Sequence, residues 1–355
     1  MNRPTIYDTA SNPRPTDGPP LVSVVIVNYN AWPDVSALVA TLASAAEVAA
    51  GVCEIVVVDN ASDDPPPAAL LSPTRGLRLV VRGDNGGFAV GVNSGWRAAR
   101  GRWLLVLNPD VVADAGLLTR VVARARRDEA DPRGAAGIVG FGLRNSDGTR
   151  QPSVGAFPNL GRAFWEQWLP RSRRKYQAIW RTRPGAAAWV TGACVLVNGA
   201  LLESLGGLDE DFFLYYEEVA LCRSARRRGW RVEYDPSVEV VHLRPLQDRP
   251  VSPRMRVITR HSKLLYFQKH LPRWQFLGLC AVVAAEARVF GSLARVCRHD
   301  EAARSWRAVA RIERALRAGR ELVGRDVLAL ADAVTQPRPE RTRRAARRSG
   351  ISQKN

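Results

Sequence analysis

Short apolar runs alternate along this chain with longer segments in which apolar residues recur every three or four positions. The runs that predict strands are residues 21–27, 54–58, 77–81, 103–107 and 136–143. The segments with helical spacing include residues 35–42, 88–100 and 114–127. Strands that alternate with helices of this length predict βαβ units, so the expected fold class is α/β, a mostly parallel sheet flanked by helices.

The central strand of this pattern, residues 103–107, ends on Asn108-Pro109-Asp110. Ligands of parallel α/β sheets bind at the carboxyl ends of the strands, where the helices diverge. Pro109 has a fixed φ and restricts the residue before it, which holds Asn108 and Asp110 on a stiff turn. Both side chains are therefore candidate ligand contacts, with a helix cap after the strand as the structural alternative.

The other predicted strands also end on polar residues or glycine. Asn28 and Asn30 follow the first strand, Asp59 follows the second, and Asn85 and Gly87 follow the third. Helix-capping and turn preferences can explain each of these residues taken alone. They do not explain why all of them are expected at the same edge of one sheet. Backbone N–H groups at Gly87 could contact phosphate at the start of a helix, although the spacing of glycines is not that of a dinucleotide-binding fingerprint.

Two adjacent acids, Glu217 and Glu218, follow four aromatic residues between positions 212 and 216. Aromatic surroundings reduce the solvation of a carboxylate and raise its pKa, as a general base requires. Attraction to the positive end of a helix is the structural alternative. Neighbouring helical residues point about 100° apart, so only one of the two acids can face a given crevice.

The last short strands are expected at residues 231–234 and 238–241, and the second is followed by His242. A single histidine at a strand end is more often a structural group than a ligand. Whether His242 is a ligand therefore depends on which other candidate residues lie near it.

Charge is unevenly distributed along the 355 residues. The segment from Arg244 onward carries 25 of the 52 Lys and Arg but 9 of the 34 Asp and Glu, so it accounts for +16 of the net +18. Such a surface suits nucleic acid, an anionic membrane or plain solvation. The five cysteines are scattered and never spaced as Cys-x-x-Cys, which argues for a reducing compartment and against disulfides or a zinc site.

The expected organisation has four parts: a disordered leader without a signal peptide (1–20), a catalytic domain (21–243) with an irregular insertion or lid (144–187), a basic helical extension (244–335), and a disordered basic tail (336–355). No apolar run is long enough to predict a spanning helix. Residues 274–290 come nearest, and they could lie in a membrane interface or be buried in a globular core.

Together these pieces resemble the family 2 glycosyltransferases, and among them the bacterial rhamnosyltransferase-like branch. The resemblance runs from about residue 22 to residue 270. It rests on Val24–Asn30, Val57–Ser62, Asn85–Asn93, Leu107–Asp110, Thr191-Gly192-Ala193, Gly206–Glu210 through Glu217-Glu218, and Lys269-His270 after Tyr266. Each motif alone is weak, but six in this order are specific.

The resemblance implies a GT-A fold and transfer of a sugar, with rhamnose suggested by the branch, from a nucleotide diphosphate with inversion at the anomeric carbon. It assigns Asp59 to the nucleobase or ribose, and Asn85 and Asn93 to the nucleotide pocket. Asp110 would bind a divalent cation, Mg²⁺ or Mn²⁺, and His242 would be a second ligand or a diphosphate contact. Asn28, Asn30, Gly87 and Asn108 are the remaining expected nucleotide-sugar contacts.

For the base, the resemblance favours Glu218 over Glu217. Three positions depart from the family pattern. Glu218 is longer by one methylene than the usual Asp, Ala220 stands where many members have an acid, and Asn108 replaces the first acid of the metal motif.

The expected partners are a nucleotide-sugar donor, a cell-envelope glycan or glycolipid acceptor, and the anionic inner face of the cell membrane, which a cytoplasmic chain would contact peripherally. Two alternatives remain open. A catalytically weakened relative would only bind nucleotide sugar. A nucleic-acid-binding protein would use the Arg-rich tail, but its sparse aromatics argue against this, and nucleic acid is not an expected partner.

Overall fold

The computed structural model describes residues 5–8, 18–72, 74–166, 183–244 and 250–336. Its strands are β1 (Thr5–Asp8), β2 (Val22–Asn28), β3 (Cys53–Asp59), β4 (Leu77–Val81), β5 (Trp103–Leu107), β6 (Val111–Val112), β7 (Ile138–Arg144), β8 (Arg150–Gln151), β9 (Val154–Gly155), β10 (Gly185–Ala186), β11 (Trp189–Val190), β12 (Cys194–Asn198) and β13 (Val232–His242).

The helices are α1 (Trp32–Ala43), α2 (Ala46–Ala49), α3 (Ala68–Leu71), α4 (Phe88–Ala98), α5 (Leu117–Glu129), α6 (Leu160–Trp165), α7 (Gly199–Leu205), α8 (Glu217–Arg227), α9 (Pro253–His270), α10 (Arg273–Val296), α11 (Asp300–Arg317) and α12 (Gly324–Thr335). The last four make the region after residue 243 helical. They are separated near Pro272, His299 and Gly324, where the sequence pattern has its breaks.

The main sheet has the strand order β1-β4-β3-β2-β5-β12-β7-β13-β10. Strands β4, β3, β2 and β5 are parallel, as are β7 and β13. Strand β12 runs antiparallel to both of its neighbours, β5 and β7. A mostly parallel sheet flanked by helices confirms the predicted α/β fold class, and it places the ends of β2, β3, β4 and β5 along one edge.

Every residue of β2, β3 and β5 is buried, because helices cover both faces of the sheet. Helices α1 and α5 pack on one face. Helices α4 and α8 pack on the other, and α9, α10, α11 and α12 join the same apolar core. The C-terminal helices are therefore an extension of one core and do not enclose a separate one.

The structure differs from the sequence pattern in two of its strands. Residues Thr5–Asp8, inside the expected leader, form an edge strand antiparallel to β4. Backbone pairing explains this strand, because Ile6 and Tyr7 are half exposed and contribute little burial. Strand β13 is continuous where two short strands were expected, with an irregularity between Asp235 and Glu239. Residues 1–4 and 9–17 of the leader, residues 167–182 of the insertion, and the tail from residue 337 lie outside the described residues.

Candidate active site

The carboxyl ends of β2 and β3 form the first part of the site. Asn28 and Asp59 are register partners at these ends, and both are buried. The Asn28 Nδ2 atom donates to Asp59 Oδ1 at 3.1 Å, and the Ser62 hydroxyl donates to the same oxygen at 2.6 Å. Because these bonds fix the carboxylate, Asp59 is presented to the crevice in one orientation.

Asn30 extends this network toward solvent. Its side chain exchanges two hydrogen bonds with Asp63, one from Asn30 Nδ2 at 2.9 Å and one from the Asp63 N–H at 2.8 Å. The Asn30 N–H donates to the Ser62 hydroxyl. Its positive φ of 54° places it in the left-handed region, which asparagine tolerates better than most residues. Asn30 thus ties together the loops after β2 and β3.

Asn60, which the sequence analysis did not single out, joins these loops to the one after β4. Its Nδ2 atom donates to Asn85 Oδ1 and to the Gly87 carbonyl, each at 3.0 Å. The Gly87 N–H also donates to Asn85 Oδ1. Among the described residues, the buried Oδ1 atom of Asn60 has no hydrogen-bond partner. The sequence signal that could have identified Asn60 is its position directly after Asp59, within the motif Val57–Ser62.

Gly87 occupies a position that only glycine fits. Its φ is 92°, and a Cβ there would lie 2.2 Å from the carbonyl oxygen of Phe213. That carbonyl accepts the N–H of Phe88 at 2.8 Å. The start of α4 and the aromatic loop before α8 are therefore in direct backbone contact.

Replacing Gly87 by Ala is expected to destabilise the fold by about 3 kcal/mol, since backbone strain and overlap with Phe213 add together. Gly134→Ala is the matched control, because Gly134 also has a positive φ, 81°, but open space around it. Its expected cost is about 1 kcal/mol. Urea denaturation of both variants measures the difference, and equal midpoints would contradict the close approach at Gly87.

Asn93 is hydrogen-bonded within the protein, and its place in the nucleotide pocket stays a prediction. Its side chain is fully buried and makes three hydrogen bonds within the protein. Nδ2 donates to the Leu208 carbonyl at 2.9 Å and to Glu210 Oε1 at 2.8 Å, and Oδ1 accepts the Leu208 N–H at 2.8 Å. These bonds hold the Gly206–Glu210 segment against α4.

The two predicted metal ligands lie side by side. Strand β6 pairs with β13 so that Val111 is opposite His242, and this brings Asp110 Oδ1 to 3.3 Å from His242 Nε2. The Asn108 amide nitrogen is 3.5 Å from the same ring nitrogen. Two ligands about 2.1 Å from one cation at a right angle lie about 3 Å apart, so Asp110 and His242 fit a shared divalent ion.

Gln151 of β8, which the sequence analysis did not select, orients the His242 ring. Its Oε1 atom is 3.1 Å from His242 Nδ1. Metal-ligating histidines characteristically donate their other ring N–H to such an acceptor, and this leaves the remaining nitrogen for the metal. Among the described residues there is no cluster of three or more His, Cys, Asp or Glu side chains with metal-binding geometry. An ion held by Asp110 and His242 would therefore need further ligands from outside this pair of side chains.

Charges around Asp110 keep it ionised. Burial acts to raise the pKa of its carboxyl, but the hydrogen bond and charge of His242 and the charge of Arg244 outweigh burial and lower the pKa. The Arg244 Nε atom is 3.6 Å from Asp110 Oδ2, and its guanidinium also pairs with Asp34 at the start of α1. One arginine thus contacts both acids at the rim of the site.

Replacing Gln151 by Ala is expected to weaken divalent-cation binding by about 10- to 100-fold, the usual effect of losing such an orienting group. Gln151→Glu keeps the acceptor oxygen and should retain most of the affinity. Gln268→Ala, which removes a distant glutamine bonded to the Leu316 carbonyl, is the control. Mn²⁺ titration by electron paramagnetic resonance measures all three, and an unchanged Gln151→Ala affinity would contradict the assignment.

The acid pair begins α8 after a strained loop. Tyr215 and Tyr216 both have positive φ values, 68° and 71°, which are costly for non-glycine residues and often mark functional sites. Glu217 and Glu218 are buried, at 5% and 8% exposure. The aromatic loop therefore delivers both carboxylates into a poorly solvated environment, as the sequence predicted.

Gly192 lies between the acid pair and the two predicted metal ligands. A Cβ at Gly192 would lie 3.7 Å from Glu218 Cβ and 3.6 Å from a ring carbon of Phe88. The next residue, Ala193, accepts the Asn108 N–H at 3.0 Å. Glu218 and the turn that carries Asp110 therefore flank the same short segment.

Lys269 supports the loop that precedes the acid pair. Its ammonium group contacts Asp209 at 2.7 Å and Asp211 at 2.5 Å. The Ser262 hydroxyl, also on α9, donates to the Leu214 carbonyl at 2.8 Å. Helix α9 thus fixes the loop that leads into α8, the helix that carries the candidate base.

Comparison with known proteins identifies the family of this chain. The glycosyl transferase family 2 model matches residues 23–205, just over half of the chain. The chain is 31% identical over 245 residues to the N-acetylglucosaminyl-diphospho-decaprenol L-rhamnosyltransferase of Mycobacterium tuberculosis, covering 62% of this chain and 76% of that protein. It is 25% identical over 277 residues to the low-salt glycan biosynthesis hexosyltransferase Agl10 of Haloferax volcanii, covering 74% and 82%.

Among solved structures, the mannosyltransferase PcManGT from Pyrobaculum calidifontis, determined with GDP-Man and Mn²⁺, aligns over 90% of both chains at 20% identity, with a TM-score of 0.47. Family membership rests on the sequence matches.

The protein belongs to glycosyl transferase family 2 and is a glycosyltransferase, as its sequence motifs predicted. Within that family its relatives include a rhamnosyltransferase whose name specifies a lipid-linked sugar acceptor.

Proposed function

We propose that this glycosyltransferase moves a sugar, rhamnose by analogy with its 31%-identical relative, from a nucleotide-diphosphate donor to a hydroxyl of a lipid-linked glycan at the cytoplasmic face of a membrane. The reaction inverts the anomeric carbon and depends on a divalent cation. The observation that carries the proposal is the Asp110–His242 pair, with its ring oriented by Gln151, beside the segment that also contacts Glu218.

The nucleotide part of the donor would occupy the edge formed by Asn28, Asp59 and Asn85. Asp59 is fixed as an acceptor for a ribose hydroxyl or a base N–H group. The buried Oδ1 atom of Asn60 offers a second acceptor to the donor, since it lacks a partner among the described residues. Asn30 and Gly87 shape the walls of this pocket through the loops that they connect.

Asp110 and His242 would hold the cation, with Asn108 next to them. A bound Mg²⁺ or Mn²⁺ neutralises the negative charge that develops on the departing nucleoside diphosphate. The protein contributes one carboxylate and one imidazole, so donor phosphate oxygens and water would complete the coordination. Arg244 adds a positive charge at the same rim.

Glu218 would act as the general base. It accepts the proton of the acceptor hydroxyl as that oxygen bonds to the anomeric carbon and the carbon–phosphate-oxygen bond breaks. Attack from the face opposite the leaving group inverts the configuration. One carboxylate base is enough, because the leaving diphosphate needs charge neutralisation rather than protonation.

A transfer assay tests the proposal. The full chain would be incubated with dTDP-, UDP- and GDP-sugars, with Mg²⁺ or Mn²⁺, and with a polyprenyl diphospho-N-acetylglucosamine acceptor dispersed in detergent. We expect transfer from dTDP-rhamnose, and an inverted anomeric configuration in the product by nuclear magnetic resonance. Neither transfer nor hydrolysis of any donor with either cation would overturn it.

A further inference from the structure

Among the described residues, helix α10 carries more exposed large apolar side chains than any other element. It is the one helix there that is long and apolar enough to cross a membrane by length and composition, but most of that stretch is not buried in the fold. Its exposed large side chains are Trp274, Leu277, Val289, Phe290, Leu293 and Val296. We call this set the α10 face. At 24 residues, the helix is about 36 Å long.

The opposite side of α10 is fastened to the rest of the protein. Glu286 is buried and accepts two hydrogen bonds from Arg260 of α9, at 2.9 and 3.1 Å. At the edge of the α10 face, Phe290 is half exposed and stacks on Trp306 of α11, with ring centroids 5.4 Å apart. Crossing a bilayer would break these contacts, so a membrane could meet α10 only along its side.

Arginines border the α10 face. Between α10 and α11 lies an open groove of about 590 Å³ that is lined in part by Arg288, Arg295, Arg307, Arg314 and Arg317. Among its lining residues the one acid is Glu313, which is buried and paired with Arg317 at 2.9 Å. The groove therefore presents positive charge directly beside exposed apolar surface.

Aromatic surface extends the α10 face at its N-terminal half. Helix α6 packs there through Leu160, which fills the space above Gly278. Phe164 and Trp165, at the end of α6, are 57% and 64% exposed. Exposed aromatics beside a basic, apolar helix are characteristic of elements that lie in a membrane interface.

We propose that the α10 face and the adjoining arginine groove form a docking surface for an anionic phospholipid bilayer. The apolar side chains enter the boundary between headgroups and acyl chains, and the arginines bind lipid phosphates. This deepens the proposed function, since it names the surface by which the enzyme reaches a lipid-linked acceptor.

The charge and polarity of this surface favour an anionic bilayer over a second copy of the chain or nucleic acid. A second copy of the chain would bring the same arginines against each other in a symmetric contact. Nucleic acid would match the arginines, but it would leave Val289, Leu293 and Val296 against a charged backbone. A bilayer with anionic headgroups satisfies both parts of the surface.

Cys297 provides a site-specific reporter of docking. It is exposed directly after α10, whereas the other four cysteines are buried. Burial raises the pKa of Cys53, Cys222 and Cys280 to about 12, so their thiols stay protonated at neutral pH. A polarity-sensitive maleimide dye would therefore label Cys297 of the full-length chain.

The experiment mixes labelled protein with vesicles of equal parts phosphatidylglycerol and phosphatidylcholine, or of phosphatidylcholine alone. We expect sedimentation with the anionic vesicles and a blue shift of the dye. The variant Val289→Ser/Leu293→Ser/Val296→Ser should lose both signals. The variant Arg288→Gln/Arg314→Gln should bind anionic vesicles about 25-fold more weakly, at about five-fold per arginine. The control Arg75→Gln/Arg126→Gln makes the same charge change at exposed sites away from the groove, and it should lose less affinity.

All the changed side chains are exposed, so thermal unfolding of these variants should match the parent. If the triple variant does not fold, Val296→Ser alone, at 80% exposure, serves in its place. Failure of the parent to bind anionic vesicles would overturn the proposal. Equal binding by all variants would overturn it too, as would a dimer that the triple variant dissociates.

Failure of docking and failure of the proposed reaction are distinguishable. Transfer to an acceptor dispersed in detergent does not require a bilayer, so the α10 variants should keep the parent's rate in that assay. A parent chain that binds vesicles but transfers no sugar would refute only the reaction.

Discussion

Replacing Glu218 by Gln is expected to lower the turnover number of sugar transfer by about a thousand-fold, because the acceptor hydroxyl loses its proton acceptor. Gln has the same shape as Glu, so donor and cation binding should change little. Steady-state kinetics with isothermal titration of the donor separates the two effects.

Glu217→Gln is the matched control for this prediction. Glu217 is buried at the same helix start, but it points about 100° away from Glu218. We expect its turnover number to fall far less. Equal loss in the two variants would show a shared electrostatic role, and an unchanged turnover number in Glu218→Gln would show that Glu218 is not the base.

Replacing Asp110 by Asn is expected to abolish the dependence of donor binding on divalent cation and to lower turnover by about a thousand-fold or more. The reason is that the site then keeps only the imidazole of His242 as a strong ligand, while charge neutralisation by the cation contributes several kcal/mol. Donor titration with and without Mn²⁺ gives the measurement.

Asp114→Asn provides the control for Asp110→Asn, since Asp114 lies four residues further on, is exposed, and pairs with Arg120. Its removal should leave the cation dependence intact. If Asp110→Asn bound donor with the parent's cation dependence, the metal assignment would be wrong.

The sheet and its ligand-binding edge were predictable because buried strands have a local signature. Continuous apolar runs such as Trp103–Leu107 and the polar residues that follow them are both visible in the sequence. The proximity of Asp110 and His242 was not visible, because 131 positions of chain lie between them and it depends on the pairing of β6 with β13. The family resemblance supplied this pair instead.

Other features had no local signature. Gln151 acts through a contact with a residue 91 positions away, and nothing around it in sequence marks it. Asn93 belongs to a family motif, but that motif does not reveal that its amide bonds to Leu208 and Glu210. The strand at Thr5–Asp8 depends on the free edge of β4, which only the folded sheet creates.

The most direct test of the account is a crystal structure of the protein with a nucleoside diphosphate and Mn²⁺, with the metal located by anomalous scattering. The account predicts one Mn²⁺ bound by Asp110 and His242, diphosphate oxygens on the same ion, and the Glu218 carboxylate facing that crevice across the space for one sugar. Mn²⁺ bound elsewhere, or Glu218 opening into a different cleft, would contradict it.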